Sequence, residues 1–364
     1  MRLRRIKVPA ATDVAVYHCL SRVVDRQKIM GAPEKEQFRL FLREYEQFCG
    51  VRVLTYCLMS NHFHLLVEIP KRPDPLPDPE EILKRLNGLT GAALDAGKAR
   101  QVFAQFAAAA DPQGALEYCR QFHRRMWDVS EFMKLLKQRF TQWFNRRMKR
   151  TGTLWEDRFK SVLVEGGGDA LMTMAAYIDL NPVRAGIVID PGAYLWSGYG
   201  EASRGKPIAR DGLRQLCAHA LRVPKVDPED ALHRYRSRIF FEGIEGKNGT
   251  DAQGRPLTPG IPREASLKVL NQKGELPISE FIHCRVRYFS DGRILGSRAF
   301  VEQAFINFRD RFSTGRKSGA RRMKSVSEPL FTVRDLKVNV FDRSAATSSH
   351  LRAPSRDAPS NVAG

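Results

Sequence analysis

Residues 51–69 read VRVLTYCLMSNHFHLLVEI. Residues 51–59 are rich in β-formers, Ser60-Asn61 has turn chemistry, and residues 62–69 are rich in β-formers again. A connection this short makes the two strands an antiparallel hairpin. The second strand opens on His62, Phe63 and His64. Side chains alternate along a strand, so His62 and His64 face one way and Phe63 the other. Two imidazoles on one strand face can share a divalent ion, and neutral imidazole suits Zn, Mn, Fe or Ni. Two solvated or hydrogen-bonded histidines at a hairpin mouth are the plainer alternative, and the spacing leaves both open.

Upstream, residues 15–24 (AVYHCLSRVV) predict a first strand and residues 33–49 an amphipathic helix. In that helix Phe38, Phe41, Leu42, Tyr45, Phe48 and Cys49 recur at three- and four-residue steps, and Gly50 ends it. Downstream, residues 70–79 carry five prolines and can continue neither element. Residues 80–121 are Ala- and Leu-rich with a break at Asp111-Pro112, so a helical insertion is expected over about residues 71–128. Residues 130–148 predict a helix capped by Ser130, with Phe132, Leu135, Leu136, Phe140, Trp143, Phe144 and Met148 on its apolar face. A fourth strand closes residues 153–165. Gly166-Gly167-Gly168 then breaks the chain, and Asp169 is placed to cap a helix running to about Leu180.

The order strand, helix, strand, strand, helix, strand, helix is a split βαβ, ferredoxin-like α+β arrangement with one antiparallel sheet. Beyond residue 196 the pattern weakens. Residues 200–241 read as helical and basic, 245–262 as a Gly- and Pro-rich linker, and 266–312 as a small helical domain in which 289–300 is a turn and short helix. The expected division is a chemical domain over 1–200, a mostly helical accessory DNA-binding domain over 201–325, and a flexible tail over 326–364.

The 364 residues include 60 Lys and Arg against 40 Asp and Glu, a net charge of +20 that favours polyanionic partners, nucleic acid first. Hydrophobic residues at 43% exclude a wholly disordered chain. No apolar run approaches the ~20 residues of a spanning helix. The basic start of the chain has no apolar stretch after it, which predicts no secretory signal. The six cysteines are scattered with no C-x-x-C pair, against a thiolate zinc site or disulfide scaffold. A cytoplasmic, nucleoid-associated protein is expected.

Tyr177 and Asn181 stand four apart at the end of a predicted helix, so they share a face and could offer a phenol and an amide oxygen to one site. A core tyrosine and a helix-ending Asn before Pro182 are the alternatives. Basic residues interleave with aromatics at Lys137, Arg139, Arg146, Arg147, Lys149, Arg150, Arg158 and Lys160. Cations pair with phosphates and aromatics stack on unpaired bases. Phe140, Trp143 and Phe144 lie on the apolar stripe and are read as core; the cations are read as DNA contacts.

YHCLSR (17–22), YCLMSNHFHLLV (56–67), RTGTLWEDRFKS (150–161) and YIDLNPVRAGIV (177–188), with YLWS at 194–197, resemble in order and spacing the REP-associated tyrosine transposases of the HUH superfamily. The resemblance covers about residues 10–200. It departs in the long insertion, and in Val23-Val24-Asp25, where relatives carry a Gly-Asn turn. It implies that His62 and His64 bind a divalent ion, Mg2+ or Mn2+. Asn181 is read as a third ligand because it shares a helix face with Tyr177, and Asp179, two residues from Tyr177 and so roughly on the other side, as a weaker candidate. It implies that Tyr177 is the nucleophile, forming a 5′-phosphotyrosine in single-strand DNA nicking and strand transfer. The implied partner is single-stranded or hairpin DNA, with no membrane and no small-molecule substrate, bound by a monomer or homodimer. The alternative function is a non-catalytic single-strand DNA- or RNA-binding protein that retains the fold.

Overall fold

In a computed structural model, residues 5–8, 14–90, 96–242, 289, 293–323 and 330–334 are described. Strands β1 (Ala15–Arg22), β2 (Arg52–Leu58), β3 (His62–Ile69) and β4 (Lys160–Val164) lie in the order β2-β3-β1-β4, every pair antiparallel. The crossover from β1 to β2 is α1 (Ala32–Cys49), ended by Gly50 in the left-handed region at φ 62. The crossover from β3 to β4 carries the insertion and then α5 (Val129–Arg147). The insertion is helical: α2 (Pro79–Asn87), α3 (Ala96–Ala108) and α4 (Pro112–His123), the last capped by Asp111 at the expected break.

Alternation along the strands splits the interior in two. Tyr17, Cys19, Phe63, Leu65, Val67 and Leu163 bury against α1, α5 and the insertion. Val16, Leu66, Val162 and Val164 share a second core with α6 (Gly168–Asp179) and α9 (Pro207–Leu221), and α10 (Pro228–Glu242) packs on those two helices. Between these last two elements and α6 run the short helices α7 (Asn181–Arg184) and α8 (Gly198–Ser203). Helix α6 is buried on nearly all sides, as a helix between a sheet and a second helical layer must be. A bulge in β2 between Val53 and Thr55 turns Leu54 and Thr55 both to the α6 side. The YLWS segment fastens along β2: Leu58 N donates to the Trp196 carbonyl and Tyr194 Oη to the Leu58 carbonyl.

Four expectations are corrected. The sheet is mixed, because β5 (Ile294–Gly296) joins the free edge of β4 in parallel, followed by β7 (Phe331–Thr332) and β6 (Arg321–Arg322). Thus the largely helical region after residue 200 also supplies strands; Ile294 and Leu295, read as part of a turn, find backbone partners in Leu163 and Val164. Helix α11 (Arg298–Asn307) follows directly. The cap of α5 is Asp128, whose carboxylate accepts from Ser130 N and Glu131 N, rather than Ser130. The cap position of α6 is Gly167, with Asp169 in the first turn. The linker over 245–262, residues 266–288 and 290–292 of the small helical domain, and residues 326–329 and 335–364 of the tail lie outside the described residues. The turn at Val23-Val24-Asp25 requires left-handed backbone at Asp25 and Arg26, φ 54 and 55. Asp is among the residues that tolerate it, but for Arg it is strained.

Candidate active site

Three histidines meet on the α6 side of the sheet. His62 and His64 come from β3, and His18 from β1, on the same strand face as Val16. Phe63 points to the other core, as the alternation requires. The hydrogen bonds fix the proton on each ring. His18 Nδ1 lies 2.7 Å from the Phe289 carbonyl oxygen, which can only accept, so Nδ1 carries the proton. Burial pulls His18 down to about 4, outweighing that carbonyl, so the ring is neutral and its Nε2 is a bare acceptor. That Nε2 lies 2.9 Å from His64 Nδ1, so His64 donates through Nδ1 and keeps a lone pair on Nε2. His62 Nδ1 meets Asn61 Oδ1 at 2.6 Å. Asn61 is oriented by its Nδ2, which donates to the Arg26 carbonyl at 3.0 Å. His62 therefore also donates through Nδ1 and keeps Nε2 free of a proton. Burial, and then the charge of Arg22 across the strand pair, lowers His62 to about 4; burial, then His18, drives His64 well below the usual imidazole range.

Two neutral imidazoles with unprotonated Nε2 atoms, their ring centroids 5.1 Å apart, suit a divalent ion. Among the described residues no group of three His, Cys, Asp or Glu side chains could hold a metal. The pair would need donors of another kind, such as an amide oxygen, water or phosphate. Asn181 opens α7, and its Nδ2 donates to the carbonyls of Tyr177 and Ile178 at 3.1 and 3.0 Å, turning that nitrogen back on the end of α6. Asp179 faces elsewhere. It accepts from Thr55 Oγ1 at 2.7 Å, Tyr235 Oη at 2.6 Å and Tyr199 N at 3.1 Å, and burial holds it up at about 6. It thereby ties the end of α6 to β2, α8 and α10, two residues from Tyr177.

Tyr177 is brought to the histidines: its ring centroid lies 5.7 Å from that of His64 and 6.0 Å from that of His18, edge-on to both. It is also a buried residue, 1% exposed, stacked on Phe289 at 4.4 Å. Arg184, at the end of α7, lies over the same ring, its guanidinium carbon 4.4 Å from the centroid. Sequence reasoning missed His18, Arg184 and Phe289. His18 and Arg184 stood inside the quoted motifs, but only the sheet register and the α6–α7 turn bring them to Tyr177. Phe289 had no local signal.

The basic residues of α5 are on the other layer of the sheet from Tyr177. Lys137 donates to the Asp157 carbonyl at 3.0 Å and is pulled down to about 8 by burial; Arg139 donates to the Thr90 carbonyl at 2.7 Å. Arg147 lies 3.6 Å from Glu34, and Arg150 donates to the Thr153 carbonyl at 3.1 Å. Arg146, Lys149 and Arg158 are exposed. Lys160 is exposed too, but at the start of β4 it shares the strand face of Val162 and Val164, the side of Tyr177. Phe140 and Phe144 are core, as read, while Trp143 is half-buried against them. Cys19, Cys49, Cys57, Cys119 and Cys217 are free and buried. No described helix is long and apolar enough to cross a membrane.

A search of curated proteins finds none similar to the chain. The solved structure of a REP-associated tyrosine transposase bound to a REP hairpin is 13% identical, with 57% of this chain and 90% of that chain covered and a TM-score of 0.36. Residues 11–101 match the family described as transposase IS200 like. That span holds β1 to β3 with all three histidines and stops short of Tyr177; over it, the chain is similar to IS200-like transposases.

Proposed function

We propose that the protein is a metal-dependent single-strand DNA endonuclease and strand transferase of the HUH tyrosine type, acting at hairpin or palindromic DNA. The observation that carries this reading is the approach of Tyr177 to His64 on the face where His62 and His64 keep unprotonated Nε2 atoms. The strand order β2-β3-β1-β4, that of a ferredoxin-like split βαβ unit, and the match over residues 11–101 support it. His62 and His64, with Asn181 as the proposed third donor, would hold Mg2+ or Mn2+. When bound, the ion supplies positive charge against the phosphate. The chain's own residues supply the rest. Tyr177 Oη forms a bond to phosphorus, the P–O3′ bond breaks, the phenol proton leaves to solvent and the departing O3′ takes one from solvent, giving a 5′-phosphotyrosine and a free 3′-OH. One phosphoester replaces another, so the step is reversible and a second DNA end can rejoin without ATP.

The partner is single-stranded or hairpin DNA, held by a monomer or homodimer. Residues 1–200 are assigned the chemistry, and 201–325 an accessory role in DNA positioning. Phe289, packed on Tyr177, favours participation of that later region in closing the site. One observation favours the non-catalytic reading: at 1% exposure Tyr177 must be uncovered before it can meet DNA. Incubation with single-stranded hairpin oligonucleotides and Mn2+ decides between the two. Nicked product requiring both histidines supports the enzyme; binding without nicking supports the alternative.

A further inference from the structure

Arg184 carries more hydrogen-bonding capacity than the fold uses. Its Nη2 donates to the backbone carbonyl of Tyr177. Asn181 Nδ2 already donates to that carbonyl at 3.1 Å, so the end of α6 is capped without the arginine. Its Nη1 is buried with no hydrogen-bond partner. Arg5, Arg72, Arg139 and Arg311 also have a buried, unpartnered nitrogen, and in each it is Nε, the single-hydrogen atom beside the stem. Arg184 differs in leaving a terminal, two-hydrogen nitrogen idle. Burial works against its charge, and among the described residues it forms no ion pair with a carboxylate. A buried cation with an empty donor is expensive unless a ligand completes it. Its surroundings name the ligand. The guanidinium lies on the Tyr177 ring, and its charge is felt at His64.

We infer that Arg184 is a catalytic residue whose Nη1 donates to a non-bridging oxygen of the scissile phosphate as Tyr177 attacks. The inference rests on the reading of Tyr177 as nucleophile. Negative charge grows on the non-bridging oxygens in the transition state, and a preplaced donor meets it with no reorganisation. The planar guanidinium keeps Nη1 aimed while Nη2 stays on the Tyr177 carbonyl, a two-ended hold that an ammonium cannot match. Arg184 moves no proton: the Oη–P bond forms, the P–O3′ bond breaks, and the guanidinium stays charged throughout.

The test uses the full chain, Mn2+ and a pool of single-stranded hairpin oligonucleotides, with two readouts. One is the single-turnover rate of covalent adduct formation. The other is the dissociation constant of the same pool in a Tyr177→Phe background, where no adduct can form. Arg184→Gln is expected to slow the adduct about 100- to 1,000-fold and to weaken binding about tenfold. Arg184→Lys should recover binding better than rate, and millimolar guanidinium should restore part of the rate of Arg184→Ala. A rate and an affinity for Arg184→Gln both within about threefold of the unaltered chain would overturn the inference and leave Tyr177 standing. A loss matched by a lowered melting temperature and not rescued by guanidinium would overturn it as well. Absence of any adduct in the unaltered chain, with binding still weakened by Arg184→Gln, would overturn the Tyr177 reading and keep the phosphate contact.

Discussion

On the α1/α5 side of the sheet, Phe63 packs against Phe38 at 4.6 Å and Trp155 at 5.3 Å between ring centroids, with Phe140 behind them. On the α6 side, the residues either side of Phe63 are His62 and His64, joined by His18, Tyr177 and Arg184. The same strands build both. The first side holds by area and shape, which tolerate changes of detail. The second buries imidazole rings and a guanidinium that need partners, and Phe289, Asn61 and the helix-end carbonyls satisfy most of them. One face stabilises the sheet and the other spends part of that stability on the arrangement proposed as the site.

The contrast is broken most severely at the histidines. His62→Ala or His64→Ala should reduce nicking of a single-stranded hairpin to background with the circular dichroism spectrum unchanged. Full activity in chelator with both histidines removed would sink the metal assignment. The reciprocal change, Phe63→Ala, should cost about 3–5 kcal/mol in urea unfolding. The surviving folded fraction should keep its nicking rate. A rate loss beyond the unfolded fraction would mean the two faces are coupled.

Acid should separate the faces next. His18 and His62 have folded values of about 4 against 6.5 when unfolded, so below pH 6.5 the unfolded chain takes up protons that the folded chain refuses. Stability is therefore full above pH 6.5 and falls as pH drops towards 4, by about 2–3 kcal/mol from His18. Asp179, raised to about 6, runs the opposite way between pH 6 and 4 and softens the fall. Denaturant midpoints of the unaltered chain and His18→Gln across pH 4–7 would check this; equal pH slopes for the two would contradict it.

The smallest expected effect concerns the outer surface of α5 and the segment that follows it. Neutralising Arg146, Arg147 and Arg158 together should flatten the slope of log affinity against log salt by about 2, near 0.7 per single-strand phosphate contact. An unchanged slope would move the DNA path to the Tyr177 side, where Arg22 and Lys160 flank the histidines.

Much of this was legible in local sequence. The H-x-H period placed His62 and His64 on one face, and the Gly-rich break before α6 allowed Tyr177 to be carried back over the sheet. What was illegible depends on register and distance. His18 reads as one histidine in an apolar strand until the pairing of Leu20 with His64 sets it beside β3. Phe289 and β5 come from residues more than a hundred positions beyond Tyr177, and no local pattern announces that β4 leaves an edge for them. The basic stripe of α5 was legible as a stripe. Its placement on the layer opposite Tyr177 was not, because an amphipathic pattern says which side of a helix is buried and nothing of which face of the sheet it covers.

The central claim is that the α6 side of the sheet holds a tyrosine nucleophile. It is tested most directly by mass spectrometry of the protein after reaction with single-stranded hairpin DNA and Mn2+. A nucleotide adduct through a 5′-phosphate on Tyr177, absent in Tyr177→Phe while that variant keeps its stability and its metal binding, is the predicted result. An adduct that persists in Tyr177→Phe, or that maps to Tyr17, Tyr56 or Tyr194, would contradict it.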